Sequence, residues 1–338
     1  MSYYHRKRRN SARRIWHRKS RVGVLICLML AVVLVILLAV GFYESSIQDE
    51  LFQKDVAKGA HKEKSLQLHA AKSAGQNLIP VTAMKGILIC SDTNEILWDK
   101  ESQVSIAPAS CAKLLSALTV LKFCDAEETL KVGEEVYRIA EDASRAYLSI
   151  GVQMSVRQAL IAMLLPSGND AAYALAVYTG RKIALDEDLS IDEALEIFKD
   201  EMNKEASKLG ALDSKFISPD GYDTNGQYTT AYDLALIGQA ASENALISEI
   251  AGMAYSSETW LSGETAEYEN TNEMLLSQSP YYISECTGLK TGTSTSAGAC
   301  LVMSFTVADK HYIGVIMGST EERRFEDAMQ LYKFLINN

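Results

Sequence analysis

The sequence predicts an α+β domain preceded by one N-terminal transmembrane helix, and three observations carry that expectation. Short apolar runs of strand length lie at both ends of the segment after residue 80, helix-length runs with their own start signals lie between them, and 22 uncharged residues precede the whole. One mostly antiparallel sheet completed by the two ends of the domain, flanked by helices, satisfies the first two.

The elements follow in chain order. Residues 1–21 carry nine Lys or Arg and no acid, and Val22 to Tyr43 carry no charge at all. As a helix that run is about 33 Å long, enough to cross a bilayer. Nine cations before it and Glu44, Asp49 and Glu50 after it place the N-terminus in the cytoplasm and the rest of the chain outside, a single-pass membrane anchor. A cleaved signal peptide is the competing reading, but its apolar core is usually about 7–15 residues and has a small-x-small site after it. Residues 44–79, rich in Lys, Glu, Gln, Ala and Ser, read as an extracytoplasmic tether reaching about 30–36 Å if coiled.

Residues 80–338 read as the folded domain. Lys85 to Cys90 and Glu95 to Asp99 are strand-length runs around Ser91-Asp92-Thr93-Asn94, a hairpin. Ser110 to Phe123 predicts a helix with Leu114, Leu118 and Leu121 on one stripe. Ser155 with Gln158, and Ser190 with Glu193, carry the capping-box spacing in which each side chain satisfies a free backbone N–H of the first turn; the second helix runs to Gly210. Thr230 to Ala241 predicts a further helix. Leu301 to Val307 and Tyr312 to Met317, joined by residues 308–311, predict a second hairpin, and a last helix starts from Ser319 with Glu322 as its box partner.

Charge and composition exclude some functions. The whole chain is −10, so the part after the basic arm carries −19, which repels polyphosphate and speaks against nucleic-acid binding. Of five histidines only His311 lies within the domain, too few for a His-rich zinc site, and it falls in the second hairpin without a partner for a Ser-His-Asp arrangement. With Cys27 in the apolar run, five cysteines remain, Cys90, Cys111, Cys124, Cys286 and Cys300, at irregular spacing that implies no disulfide framework; buried free thiols are expected.

Three short motifs carry chemistry. In Pro108-Ala109-Ser110-Cys111-Ala112-Lys113 a serine at a helix start has a lysine three positions on, so both share one face with Cβ atoms about 5–6 Å apart, and Lys113 can take the Ser110 proton. The helix start favours negative charge developing there. Lys113 must be neutral part of the time, which calls for burial and a nearby cation. Leu165-Pro166-Ser167-Gly168-Asn169-Asp170 forms a tight turn that presents the Ser167 hydroxyl, able to relay a proton, and the Asn169 amide, able to hold a peptide backbone. An ordinary helix cap reads the same residues. In Thr287 to Thr293, Lys290-Thr291-Gly292-Thr293 fits the end of an edge strand that could hold an extended peptide: Lys290 is the required cation, Gly292 permits close approach, and Thr293 offers N–H and hydroxyl.

Together these motifs resemble the signature of penicillin-binding proteins, and the chain is most similar to the low-molecular-mass D-alanyl-D-alanine carboxypeptidases, whose middle motif is Ser-Gly-Asn. The resemblance covers about residues 81–338 and includes Met-Asn-x-x-Ala-x-x-Leu-Gly at 202–210, Phe-x-x-Pro-Asp-Gly at 216–221, Thr-Thr-Ala-x-Asp-Leu-Ala at 229–235 and Lys-Thr-Gly-Thr-Ser-Thr at 290–295. It implies a serine β-lactamase/transpeptidase-like fold with the serine between an all-helical lobe and a sheet lobe. It further implies that Ser110 is acylated, Lys113 is its base, Ser167 and Asn169 complete proton transfer and substrate holding, and Lys290, Thr291, Gly292 and Thr293 bind substrate.

The Ser110 and Thr293 N–H groups would form the oxyanion hole, and Arg324 would bind the substrate's terminal carboxylate. The implied partners are peptidoglycan stem peptides, with β-lactams as covalent inhibitors and no cofactor. A β-lactamase of the same fold and a non-catalytic wall-binding protein on a degenerate fold are the alternatives. Between Ser167 and Lys290 no Glu-x-x-Leu-Asn segment is present to activate a deacylating water, and every motif side chain is retained. Tyr222, where many relatives have Leu, and Cys111-Ala112 depart from the family pattern and bear on peptide preference.

Overall fold

The computed structural model describes residues 79–337, so the basic arm, the apolar run 22–43 and nearly all of the tether lie outside the described residues. Among the described residues no helix is long and apolar enough to cross a membrane. The rest is the expected α+β architecture.

Its centre is a five-stranded antiparallel sheet. The strands in it are β1 (Lys85–Cys90), β2 (Glu95–Lys100), β7 (Cys286–Ser294), β8 (Gly298–Val307) and β9 (Lys310–Ser319), in the order β2-β1-β9-β8-β7. The first strand therefore pairs with the last, Gly86 opposite Ile316 and Leu88 opposite Gly314, and the sheet does close on the two ends of the domain. Two short ribbons lie outside it, β3 (Thr129–Lys131) with β4 (Gln153–Ser155) and β5 (Tyr255–Thr259) with β6 (Thr265–Glu269). The sequence reading contained neither, since three to five residues leave little periodicity to detect.

Seven α-helices are described: α1 (Lys113–Phe123), α2 (Val156–Leu164), α3 (Asn169–Ala184), α4 (Ile191–Lys208), α5 (Ala231–Glu243), α6 (Ala245–Ala251) and α7 (Arg323–Asn337). On one sheet face Ile87, Leu289, Val302, Ile313 and Val315 join the helical lobe in one core, with Leu114, Leu160, Leu175, Phe198 and Leu234. On the other face Leu88, Leu301, Met303, Phe305 and Ile316 pack against Phe325, Ala328, Leu331 and Leu335 of α7. Burying each large α7 side chain stabilises by roughly 1.5–3 kcal/mol, which fixes that helix to the sheet.

Four local expectations need correction. The helix expected over Ser110 to Phe123 opens as a 3-10 turn, Ala109–Ala112, before α1 begins, and α1 is enclosed on most sides: Leu114, Leu115, Ala117 and Val120 are buried, while Leu118 and Leu121 of the expected stripe are only half-buried. Ser155 makes both bonds of its capping box with Gln158. Ser190 makes only one, because the Glu193 carboxylate turns to accept from the Ser190 hydroxyl at 2.6 Å. The loop of the second hairpin is two residues, not four: Ala308 and Asp309 both take positive φ, 49° and 60°, the twist a two-residue turn requires. Finally, α7 starts at Arg323, whose N–H donates to Thr320 Oγ1, not at Ser319.

Ser319 instead helps hold Asp327. That buried carboxylate accepts from Thr82 N at 2.6 Å, Ala83 N at 2.9 Å, and the Thr82 and Ser319 hydroxyls, both at 3.1 Å. It ties the segment entering β1 to the last helix. All five cysteines among the described residues are free and buried, as expected. His311 Nδ1 donates to Asp92 Oδ1 at 2.9 Å, joining the exposed ends of the two hairpins.

Candidate active site

Ser110 lies in the 3-10 turn and Lys113 in the first turn of α1, so their short spacing brings the two side chains together, Ser110 lining a cleft between the helical lobe and β7 and Lys113 buried behind it. Lys113 Nζ is 2.7 Å from Ser110 Oγ, 3.3 Å from Ser167 Oγ, 2.7 Å from Asn169 Oδ1 and 3.1 Å from the Asp220 carbonyl oxygen. Four oxygens are one more than an amine of either charge can engage at once. The Asn169 and Asp220 oxygens only accept, so they take two N–H groups. The third valence, an N–H or a lone pair, is left for the two hydroxyls, and a lone pair there can accept a hydroxyl proton.

Asn169 is oriented by the same neighbour. Its Nδ2 donates to Asp220 Oδ2 at 2.6 Å, and Asp220 Oδ1 accepts Tyr222 N at 3.0 Å. Ser167 reaches Lys113 from a backbone with φ of 62°, a conformation rarely adopted outside glycine, at the turn before α3. Asp170, buried at the start of α3, accepts from Ala146 N and Leu148 N and so fixes the cleft-side loop that contains Asp142, Ala143 and Ser144. The backbone of Gly221, at φ of 79°, passes so close to the turn holding Ser110 that a Cβ would sit 1.9 Å from the Ala109 carbonyl oxygen.

The third motif comes in along the edge of the sheet. β7 is an edge strand, as expected, and Gly292 brings it against the serine: a Cβ there would lie 3.0 Å from Ser110 N and 3.2 Å from Cys111 N. Arg324 Nη1 donates to Thr293 Oγ1 at 3.0 Å and to the Gly292 carbonyl at 3.2 Å. Thr291 is placed differently from its neighbours, since its hydroxyl pairs with that of Thr271 at 2.6 Å. Lys290 is buried, with Nζ donating to the Thr291 carbonyl at 3.0 Å.

Burial lowers both lysines. Lys113 falls to about 8 because desolvation disfavours its charge, with Asp220 as the main opposing influence. Lys290 lies well below the ordinary lysine value, first through burial and then through the charge of Lys113. The nearby cation expected for Lys113 is present, but burial is what lowers Lys113, and the repulsion between the two amines registers on Lys290. Cys111, enclosed beside them, is pushed up to about 11 by burial, so it stays a thiol.

The cleft has a volume of about 590 Å³ and is lined by Ala109, Ser110, Asn169, Gly221 to Asp223, Thr293 to Thr295 and the 142–144 loop. Sequence reasoning quoted Asp170 and Asp220 within motifs but gave neither a role, and missed Asp142; their signal is contact across the fold, with no spacing to reveal it. Among the described residues no cluster of three or more His, Cys, Asp or Glu side chains is placed to hold a metal ion.

A serine bonded to a buried lysine, between a helical lobe and the edge of an antiparallel sheet, defines an active-site-serine acyl-transfer enzyme. The profile of the D-alanyl-D-alanine carboxypeptidase family matches residues 70–321, and the chain belongs to that family. It is 29% identical to D-alanyl-D-alanine carboxypeptidase DacF of Bacillus subtilis over 287 residues, 82% of this chain and 65% of DacF. Among solved structures it is similar to the Streptomyces K15 DD-transpeptidase, with a TM-score of 0.70, 28% identity, and coverage of 76% of this chain and 98% of that one. Penicillin-binding protein D2 of Listeria monocytogenes, in its ampicillin-bound form, matches with a TM-score of 0.61 at 28% identity over 76% of this chain and 98% of that chain.

Proposed function

We propose that this protein is a serine-type D-alanyl-D-alanine carboxypeptidase that removes the terminal D-alanine from peptidoglycan pentapeptide stems, and that residues 22–43 anchor it so that residues 80–338 act outside the membrane. The observation that carries the reading is the 2.7 Å contact between the buried Lys113 Nζ, which Ser167 also approaches at 3.3 Å, and Ser110 Oγ in the wall of a cleft that also presents Asn169 and the β7 edge. Neutral Lys113 takes the Ser110 proton as Oγ attacks the carbonyl of the penultimate D-alanine. The N–H groups of Ser110 and Thr293 receive the oxyanion. Lys113 returns the proton, relayed by Ser167, to the departing amine; the C–N bond breaks and an ester remains on Ser110.

Water then attacks that ester, gives its proton to Lys113, and restores the Ser110 hydroxyl. Arg324 and the Thr293 hydroxyl hold the terminal carboxylate, and Asn169 holds the peptide backbone. The same ester forms with a β-lactam, whose cleaved amide stays tethered. The Streptomyces K15 neighbour is a DD-transpeptidase, and transpeptidation differs only in handing the acyl group to an amine in place of water. The test is covalent labelling of the full-length protein by a fluorescent penicillin, with and without Ser110→Ala, alongside D-alanine release from a linear pentapeptide. Label retained after the substitution, or absent from the parent, overturns the nucleophile; a dimeric product in excess of free D-alanine and tetrapeptide would favour transpeptidation.

A further inference from the structure

The loop that follows Asp220 is hydrogen-bonded to both lips of the cleft. Tyr222 OH donates to Asp142 Oδ1 at 2.9 Å on the helical-lobe lip, and Asp223 Oδ2 accepts Ser296 N at 2.8 Å on the turn between β7 and β8. The loop is itself held from beneath. Tyr222 N donates to Asp220 Oδ1, its carbonyl accepts from Gln227 Nε2 at 2.9 Å, and Gln227 Oε1 accepts Ile217 N and Ser218 N. At Gly221 the chain is pressed against Ala109, so this segment has no room to sink into the protein. Tyr222 and Asp223 thus form a bar from one lip to the other, and the cleft cannot widen there without breaking one of those two bonds.

The position of the bar decides what it does. Arg324 and Thr293 Oγ1 meet at one end of the site, where the reading above places the terminal carboxylate. The lining beyond Ser110 is that of the bar, the 142–144 loop and Ser294 and Thr295, which leaves this part of the cleft for the residues that precede the scissile bond. A single extended strand laid along β7 would pass this bar without displacing it. A strand that branches there must push the Tyr222 ring aside.

We infer that the Tyr222–Asp142 bar makes this enzyme selective for linear peptides ending in D-alanyl-D-alanine over peptides branched, a few residues before that end, by acylation of a side-chain amine. The inference rests on the carboxypeptidase reading and names its substrate class. Tyr222 is a specificity-determining residue; it takes no part in proton transfer.

The experiment compares D-alanine release by the full-length protein from two defined peptides: a linear pentapeptide with a free side-chain amine at its third residue, and the same pentapeptide with that amine acylated by a second peptide. The parent enzyme is expected to favour the linear peptide in kcat/KM by about tenfold or more, the discrimination typical of a steric misfit of this kind. Tyr222→Leu, which removes ring and hydroxyl, and Asp142→Ala, which frees the bar from an exposed residue at its other end, are both expected to lower the ratio. Tyr222→Phe keeps the ring and loses only the tie, so its ratio should fall less. Should Tyr222→Leu not fold, Asp142→Ala carries the same test. A parent ratio near one, or a ratio unchanged in Tyr222→Leu and Asp142→Ala, overturns the inference while leaving the hydrolase reading intact. A parent that releases no D-alanine from the linear peptide overturns the hydrolase reading and this inference with it.

Discussion

Asn169 Oδ1 lies 2.7 Å from Lys113 Nζ, the same distance that separates that nitrogen from Ser110 Oγ. The amide is held in this sense because its Nδ2 is committed to Asp220. Lys113, the proposed general base, is therefore positioned by an acceptor that cannot change its role and faces a hydroxyl that can.

The lowered pKa of Lys113 sets a pH dependence. Below about 8 the amine is increasingly protonated and cannot accept the Ser110 proton; above it the neutral form predominates. The rate of labelling by a fluorescent penicillin is expected to rise about tenfold per unit below this value and to level off above it. A flat profile across that range would remove Lys113 as the base.

Replacing Asn169 by aspartate should move that profile. The new carboxylate would stand beside the Lys113 ammonium and against Asp220, in place of an amide that donates to Asp220. Added negative charge favours the protonated lysine, so the midpoint should rise by about one unit or more, with activity lost at neutral pH and partly recovered in alkali. Asn169→Ala should lack that alkaline recovery. Identical midpoints for Asn169→Asp and the parent would contradict the assignment.

Gly292→Ala should slow acylation more than it destabilises the fold. The added methyl meets Ser110 N and Ala109 Cβ at 3.0 Å, so β7 must retreat by a few tenths of an ångström from the serine turn. If the Thr293 and Ser110 N–H groups share an oxyanion, that displacement costs about 10²-fold or more in the acylation rate. Penicillin labelling kinetics and a thermal melt on the same samples separate the two effects.

Asp327→Ala tests the tie between the two ends of the domain. It leaves four donors without their acceptor, including the buried Ala83 N–H, and should destabilise by about 2–4 kcal/mol. The urea midpoint should fall, while the folded fraction is still labelled at Ser110, because the tie lies on the opposite sheet face from the helical lobe.

Much of this domain is legible in the sequence wherever an interaction is local. Ser155 and Gln158 lie three residues apart, so their capping box is written in the spacing, and so is the approach of Lys113 to Ser110. The strands at both ends announce a sheet through their apolar runs. The same local reading failed at Ser319, whose hydroxyl donates to Asp327 while Thr320 accepts from the first N–H of the helix, and at residues 308–311, where two residues with positive φ suffice to turn the chain.

The sequence by itself determined the order of elements, the three motifs and the residue types of the site, because periodicity, capping and turn chemistry act over a few positions. Only the tertiary structure decided that Asp220 orients Asn169, that Thr291 pairs with Thr271, and that Tyr222 reaches Asp142, 80 residues away. Those contacts arise when the helical lobe and the sheet share one buried core, and the same burial, which strips water from Lys113 and Lys290, lowers both amines.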